Sequence, residues 1–186
     1  MFHRRTLLAS ALASSLPWPA WAQSSTGNAG KNSLTLGMAL EPPMLDPTVS
    51  AAAAIGEIVH YNLFETLTKI TPEGTVLPLL AQRWEVAPDS KTFTFHLRQD
   101  AQFHNGQPLT ADSVQFSFAR AASSTSTNKD KALFTQLKVT AKDRFTVVIE
   151  SAHSNPDLLF LLGQATAIIV EPQSAATNAT TPVGTG

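Results

Sequence analysis

The sequence predicts a mixed α/β or α+β fold, and three observations carry that prediction. Two segments alternate apolar and polar residues around turn-forming residues, as hairpins do. Others repeat apolar residues at three- and four-residue spacing, as helices do. The composition, 43% hydrophobic and 15% charged over 186 residues, is that of one globular domain of ordinary size. In chain order the elements read strand, helix, hairpin, helix, hairpin, helix.

The first strand is expected in "SLTLGMALEP" (33–42), where Leu34, Leu36 and Met38 alternate with smaller partners. Pro42, Pro43 and Pro47 then stop regular structure. "AAAAIGEIVHYNLFETLTKI" (51–70) reads as one helix: Ile55, Val59, Leu63 and Leu67 fall every fourth position, and Ile58 and Phe64 widen the stripe. Gly74 marks the turn that follows. "RWEVAPDSKTFTFHLR" (83–98) is a hairpin turning at Pro88-Asp89-Ser90-Lys91. In its second arm Phe93, Phe95 and Leu97 share one face, while Thr94, His96 and Arg98 share the other.

"PLTADSVQFSFARAA" (108–122) reads as a helix with Thr110 as N-cap, Asp112 in the first turn where the helix dipole favours it, and Val114, Phe118 and Ala121 facing the core. "SSTSTNKDK" (123–131) is a polar loop. "LKVTAKDRFTVVIE" (137–150) is a second hairpin turning at Lys142-Asp143-Arg144. "PDLLFLLGQA" (156–165) is a buried helix begun by Pro156, and "SAATNATTPVGTG" (174–186) is loop.

Residues 1–22 are set apart. Arg4 and Arg5 precede a modest apolar run over 7–16, and Ala20-Trp21-Ala22 forms a cleavage pattern. The run is too short to span a bilayer, so an export signal cleaved after Ala22 is expected, and the paired arginines resemble a twin-arginine signal. Residues 23–33 form a flexible leader. Removing residues 1–22 leaves 11 basic and 14 acidic side chains, a formal charge of −3. Without a basic face, nucleic acid is not an expected partner. The chain contains no cysteine, which excludes disulfides, thiolate metal sites and cysteine nucleophiles. An exported chain without disulfides fits a bacterial periplasm.

The candidate chemistry is thin. His96 and His104 are eight residues apart, one on a strand and one at an Asn-Gly turn, which is not a zinc-ligand spacing. They read as scaffold, although a secreted metal-dependent hydrolase using both remains a rival. Glu41 and Asp46 could be imagined as a carboxylate pair, but they flank prolines in a loop. No nucleophile elbow, zinc-protease helix or phosphate loop is present. Trp84 reads as a packing anchor. The residues alone point to an exported, non-catalytic domain, and an exported structural or interaction module is the other reading they allow.

One block is more specific. Trp84 opens a hairpin with Asp89-Ser90-Lys91 in its turn, and Phe93-Thr94-Phe95 leads to Leu97-Arg98. Phe103-His104-Asn105-Gly106, Thr110-Ala111 and Val114-Gln115-Phe116-Ser117 follow. With Leu45-Asp46-Pro47, "YNLFETL" (61–67) and "PVGTG" (182–186), this closely resembles the extracellular solute-binding proteins of family 5, the peptide, oligopeptide and nickel binding proteins of ABC importers. Ser90 stands where glycine is usual, which would strain the turn slightly.

The resemblance implies a two-lobed, type II periplasmic binding protein fold of which this chain is the N-terminal part. Residues 34–48 would begin lobe I, 49–169 would form its extra subdomain, and 170–186 would re-enter lobe I. It implies a monomer without cofactor or catalysis that captures a peptide or small solute between lobes and delivers it to an ABC permease and ATPase complex. The matching cleft wall is Val49, Ser50, Ala51, Ala52, Ala53 and Ala54. Some oligopeptide binders place an acid here to meet a peptide amine. This chain has none, so a nickel complex or glutathione-like ligand also stays open. Weak or no binding and poor solubility are expected of the chain by itself.

Overall fold

The computed structural model describes Thr35 and residues 37–186. The expected export signal and leader lie outside the described residues, as does most of the expected first strand. Its described part, residues 37–42, forms no strand, and none of the described strands pairs with it. Without a ladder partner, alternation alone does not make a strand. All that follows concerns residues 39–186, which form one compact unit.

Four antiparallel strands make the main sheet in the order β3-β4-β6-β5. These are β3 (Ala81–Val86), β4 (Thr92–Leu97), β5 (Leu137–Asp143) and β6 (Thr146–Ser151). Both expected hairpins form, and β6 then pairs with β4 to join them, with Phe93 opposite Ile149 and Phe95 opposite Val147. Every pairing is antiparallel, which selects the α+β alternative. Phe93, Phe95, Leu97, Val147 and Ile149 are buried on the inner face. Each contributes about 1.5–3 kcal/mol on burial. Ser90 sits in the β3–β4 turn at φ 53, a left-handed conformation that glycine would hold without steric cost. Trp84 pairs with Phe95 across the strands, their rings 6.4 Å apart and tilted, which makes it an aromatic anchor of the sheet.

Helix α2 (Ala111–Ala122) lies on that inner face with Val114, Phe118 and Ala121 buried. Thr110 occupies the N-cap in extended conformation, but its side chain makes no capping bond. The helix serves two cores, because Phe116 packs on a second apolar cluster of Ile55, Val59, Phe64, Ile168, Val170 and Ala175. Buried Ser117 joins the two: its hydroxyl donates to the Ser113 carbonyl (2.7 Å) and accepts the Val170 N–H (3.0 Å).

Three expectations are corrected. Residues 51–70 are not one helix: α1 (Ala53–Val59) ends after two turns, and β1 (Thr68–Ile70) pairs with β2 (Val76–Pro78) around the Gly74 turn. Tyr61 adopts φ 62 and reverses the chain, an unusual conformation for an aromatic residue. It is held by its own N–H to the Phe64 carbonyl (2.8 Å), and by its hydroxyl, which donates to the Gly163 carbonyl (2.7 Å) and accepts the Ile70 N–H (3.0 Å). Ile55, Val59 and Leu67 are still buried, so the apolar stripe survived while its helix did not. Second, the helix over 156–165 shrinks to one turn, α4 (Leu158–Leu161), and then a 3₁₀ turn, Ala165–Ala167. Gly163, just past that turn, lets β1 pack closely, since a Cβ there would sit 2.9 Å from the Ile70 side chain. Third, the polar loop over 123–131 ends in a short helix, α3 (Lys131–Thr135), which buries Phe134 against Phe118 with ring centroids 5.2 Å apart.

Candidate ligand wall

The wall segment 49–54 is anchored by the residue before it. Asp46 is almost fully buried, and its carboxylate accepts three kinds of donor. The Thr48 N–H (2.9 Å) and hydroxyl (2.6 Å) reach one oxygen, and Arg120 from the last turn of α2 reaches the other (2.7 Å). Arg120 also donates to the Thr48 hydroxyl oxygen. The local Asx turn is readable from Asp46-Pro47-Thr48. The arginine is 74 residues away, so no spacing rule finds it. Glu41 is exposed, which separates it from Asp46 and leaves no matched carboxylate pair.

From this anchor the chain runs over the loop that follows α2. The Thr127 hydroxyl donates to the Val49 carbonyl (3.1 Å). Asn128 is buried and donates to the Thr166 carbonyl (2.9 Å), while the Thr166 hydroxyl donates to Asp130 (2.6 Å). Val49, Ala51, Ala52 and Ala53 are exposed, Ser50 is half-buried and Ala54, in the first turn of α1, is buried. Among the described residues, the N–H and C=O groups of Ser50 and Ala51 have no hydrogen-bond partner. A segment outside any helix or strand, with free backbone donors and acceptors, is one that a ligand backbone can pair with.

Two cavities flank this segment. One of about 200 Å³ is lined by Thr48, Val49, Arg120 and the hydroxyl residues Ser123, Thr125, Ser126 and Thr127. The other, about 120 Å³, lies under Ser50, Ala51, Ala52 and Ala53 and is closed by Pro47, Gly56, Ala165 and Thr166, with Lys129 at its edge. Arg120, Thr127 and Lys129 were not singled out from the sequence, because they lie in a helix end and a polar loop whose role depends on a distant segment.

The two histidines of the sequence block part company. His96 lies on the outer sheet face, 3.3 Å from Glu85, which also bonds Arg83 (2.9 Å). The Arg83 bond foremost, and then His96, hold the exposed Glu85 carboxyl below its usual range. His104 instead clasps the end of the chain. Its N–H donates to the Gly184 carbonyl (2.8 Å), its Nδ1 accepts the Gly184 N–H (3.3 Å), and its Nε2 lies 2.8 Å from the Gly186 carbonyl. Nδ1 as acceptor places the proton on Nε2, which therefore donates to Gly186.

Asn105 continues the clasp toward Glu171. Burial pushes the Glu171 carboxyl up, but the Gln173 and Ser174 N–H groups and the Ser174 and Asn105 side chains together hold it below its ordinary value. Gly184 is required by contact: a Cβ there would lie 1.8 Å from the Leu63 carbonyl oxygen. Thus "YNLFETL", the Phe-His-Asn-Gly turn and "PVGTG", far apart in the chain, meet at one place.

Comparison with known proteins agrees with this geometry. The model of bacterial extracellular solute-binding proteins, family 5 Middle, matches residues 75–186. The periplasmic oligopeptide-binding protein OppA of Haemophilus influenzae is 37% identical over 90 residues, 48% of this chain and 16% of that protein. The probable D,D-dipeptide-binding periplasmic protein DdpA of Escherichia coli is 30% identical over 174 residues, 91% of this chain and 32% of its own length. Among solved structures, AgaA from A. tumefacien R10, in complex with agropinic acid, superposes with a TM-score of 0.72 at 30% identity, covering 78% of this chain and 30% of AgaA. The chain spans about a third or less of each of these relatives. Fold, motif contacts and matched span agree, and the chain belongs to the bacterial extracellular solute-binding proteins of family 5.

Proposed function

We propose that this chain is part of the solute-binding component of a peptide-type ABC importer and supplies one wall of its ligand cleft. The carrying observation is the segment at Ser50 and Ala51, with unpaired backbone groups, clamped at Asp46 and flanked by two cavities. Residues 34–48 would belong to lobe I, 49–169 to its extra subdomain and 170–186 to the return into lobe I. A peptide or related small solute pairs with residues 49–54, the second lobe closes over it as a population shift driven by cleft contacts, and the closed form docks on a membrane permease. The process is capture and release without catalysis. Export to the periplasm would use the signal over residues 1–22. The peptide-binding names of OppA and DdpA support the ligand class.

The test is a titration of the ¹⁵N-labelled chain with a mixed pool of di- to pentapeptides. The expected result is weak binding, in the millimolar range, with amide shifts confined to residues 49–54 and the loop over 123–130. Shifts confined to the β5–β6 turn, or none at millimolar peptide, would overturn the wall assignment. The transport role has its own readout: deleting the gene should abolish uptake of the bound solute, and unchanged uptake would overturn it.

A further inference from the structure

The reading of residues 49–54 as a ligand wall leaves the polarity of the ligand open, and the side chains around the wall decide it. We infer that this wall selects an acidic solute: a carboxylate, with a small apolar group beside it, meets the wall, and Lys129 is the residue that selects it. The inference rests on the wall assignment above.

The charged residues lining the two cavities are Arg120 and Lys129, both cations. Their acidic neighbours are turned to other work. Asp46 has 2% of its side chain exposed and is saturated by Thr48 and Arg120. Asp130 accepts the Thr166 hydroxyl (2.6 Å) on the same oxygen that lies 3.4 Å from Lys129, and it does not line the cavity. Glu57, on the neighbouring α1, is not part of either lining.

A count of donors and acceptors then gives the sign. A lysine ammonium has three N–H donors and an arginine five. One of the first is directed at Asp130, and two of the second go to Thr48 and Asp46. The free backbone groups of Ser50 and Ala51 add donors and acceptors in equal number, so the surplus of donors toward the cavities comes from the two cationic side chains. A carboxylate satisfies such donors with charge-assisted bonds. An incoming ammonium could use the free carbonyls of Ser50 and Ala51, but in the cavity lined by Lys129 it would meet a like charge.

The apolar part follows from size. The cavity that Lys129 helps to line is about 120 Å³, and Pro47, Ala51, Ala52, Ala53, Gly56 and Ala165 give it a largely apolar lining. A dry cavity of roughly 150 Å³ holds benzene, so this one fits a side chain of about four carbons.

Two probes separate the ends of a peptide: N-acetyl-alanyl-alanine carries a carboxylate and no amine, and alanyl-alaninamide carries an amine and no carboxylate. Titrated at neutral pH into the ¹⁵N-labelled chain, the acid is expected to shift the amides of residues 50–53 at a dissociation constant at least tenfold below that of the amide. Lys129→Gln should weaken the acid about tenfold and leave the amide no weaker than before, since a like charge has been removed, with the β4 and β6 resonances unmoved as a control for folding. Tighter binding of the amide at the same residues, or an acid affinity insensitive to Lys129→Gln, overturns the inference while leaving the wall assignment standing. No shift at residues 49–54 from either probe, or from the peptide pool, overturns both.

Discussion

The sheet with α2 and the ligand wall with its clasp are built by different means. The sheet core is assembled from locally patterned pieces, two hairpins whose inner faces alternate and a helix whose buried residues recur at helical spacing, joined by the β4–β6 pairing. The wall region is held by polar contacts between residues far apart. Asp46 meets Arg120, Asn128 meets Thr166, and His104 meets Gly184. The difference teaches where the family's recognisable residues act. Trp84 and the phenylalanines of β4 make the core, whereas Asp46 anchors the start of the candidate wall and His104, Asn105 and Gly184 tie together segments far apart in the chain.

The sharpest way to break this contrast is to attack the core itself. Phe95→Ala removes a fully buried ring at the centre of the sheet and should cost about 3–5 kcal/mol. Urea denaturation should show the whole unit losing stability together. A loss below about 1 kcal/mol would mean that the sheet is not the centre of stability.

Asp46→Ala tests the other side. It strands Arg120, which keeps 25% of its side chain exposed, so the cost should be about 3 kcal/mol, the low end for breaking a buried pair. Hydrogen exchange should rise at residues 45–54 and stay slow in β4. Equal acceleration in both would erase the distinction between the two regions.

A smaller effect should appear in acid. The folded-state pKa of Glu171 lies below its ordinary value. Its contribution is therefore fully present above about pH 4.5, the usual range for a free glutamate, and is lost as pH falls through the depressed folded value. Melting temperature followed from pH 7 to pH 3 should drop less steeply below that range in Glu171→Gln than in the parent chain. Parallel curves would remove Glu171 from the clasp.

The smallest change is a gain. Ser90→Gly relieves a left-handed serine in the β3–β4 turn, and urea midpoints should rise by the equivalent of about 0.5 kcal/mol, the strain relief partly offset by a more flexible unfolded chain. A fall would show that the Ser90 conformation carries no strain.

What the sequence revealed follows the same division. The hairpins and α2 were legible because period-2 and period-3.6 patterns are local. The helix expected over 51–70 failed because an apolar stripe records which residues are buried, not the path between them. Tyr61 turned the chain while Ile55, Val59 and Leu67 kept their places inside. Family resemblance brought the wall segment into view at Asp46-Pro47, but Arg120 and Lys129, the cations that give it polarity, were invisible. Their meaning exists only when residues dozens of positions apart are brought together. His104 was read as punctuation in a turn. It lies in that turn, whose closing bond runs from the Gly106 N–H to the Phe103 carbonyl, and it also bonds Gly184, 80 residues away.

That clasp has a consequence for the order of folding. Hairpin and helix contacts close short loops, which form quickly, whereas a tie between residues 104 and 184 must wait for a long loop to close. During synthesis from the N-terminus, β3, β4, α2, β5 and β6 are complete before the residues that bind His104 have been made. The sheet strands are thus made before "PVGTG", which closes on them afterward and brings the Leu63 loop and the Asn105 turn into register.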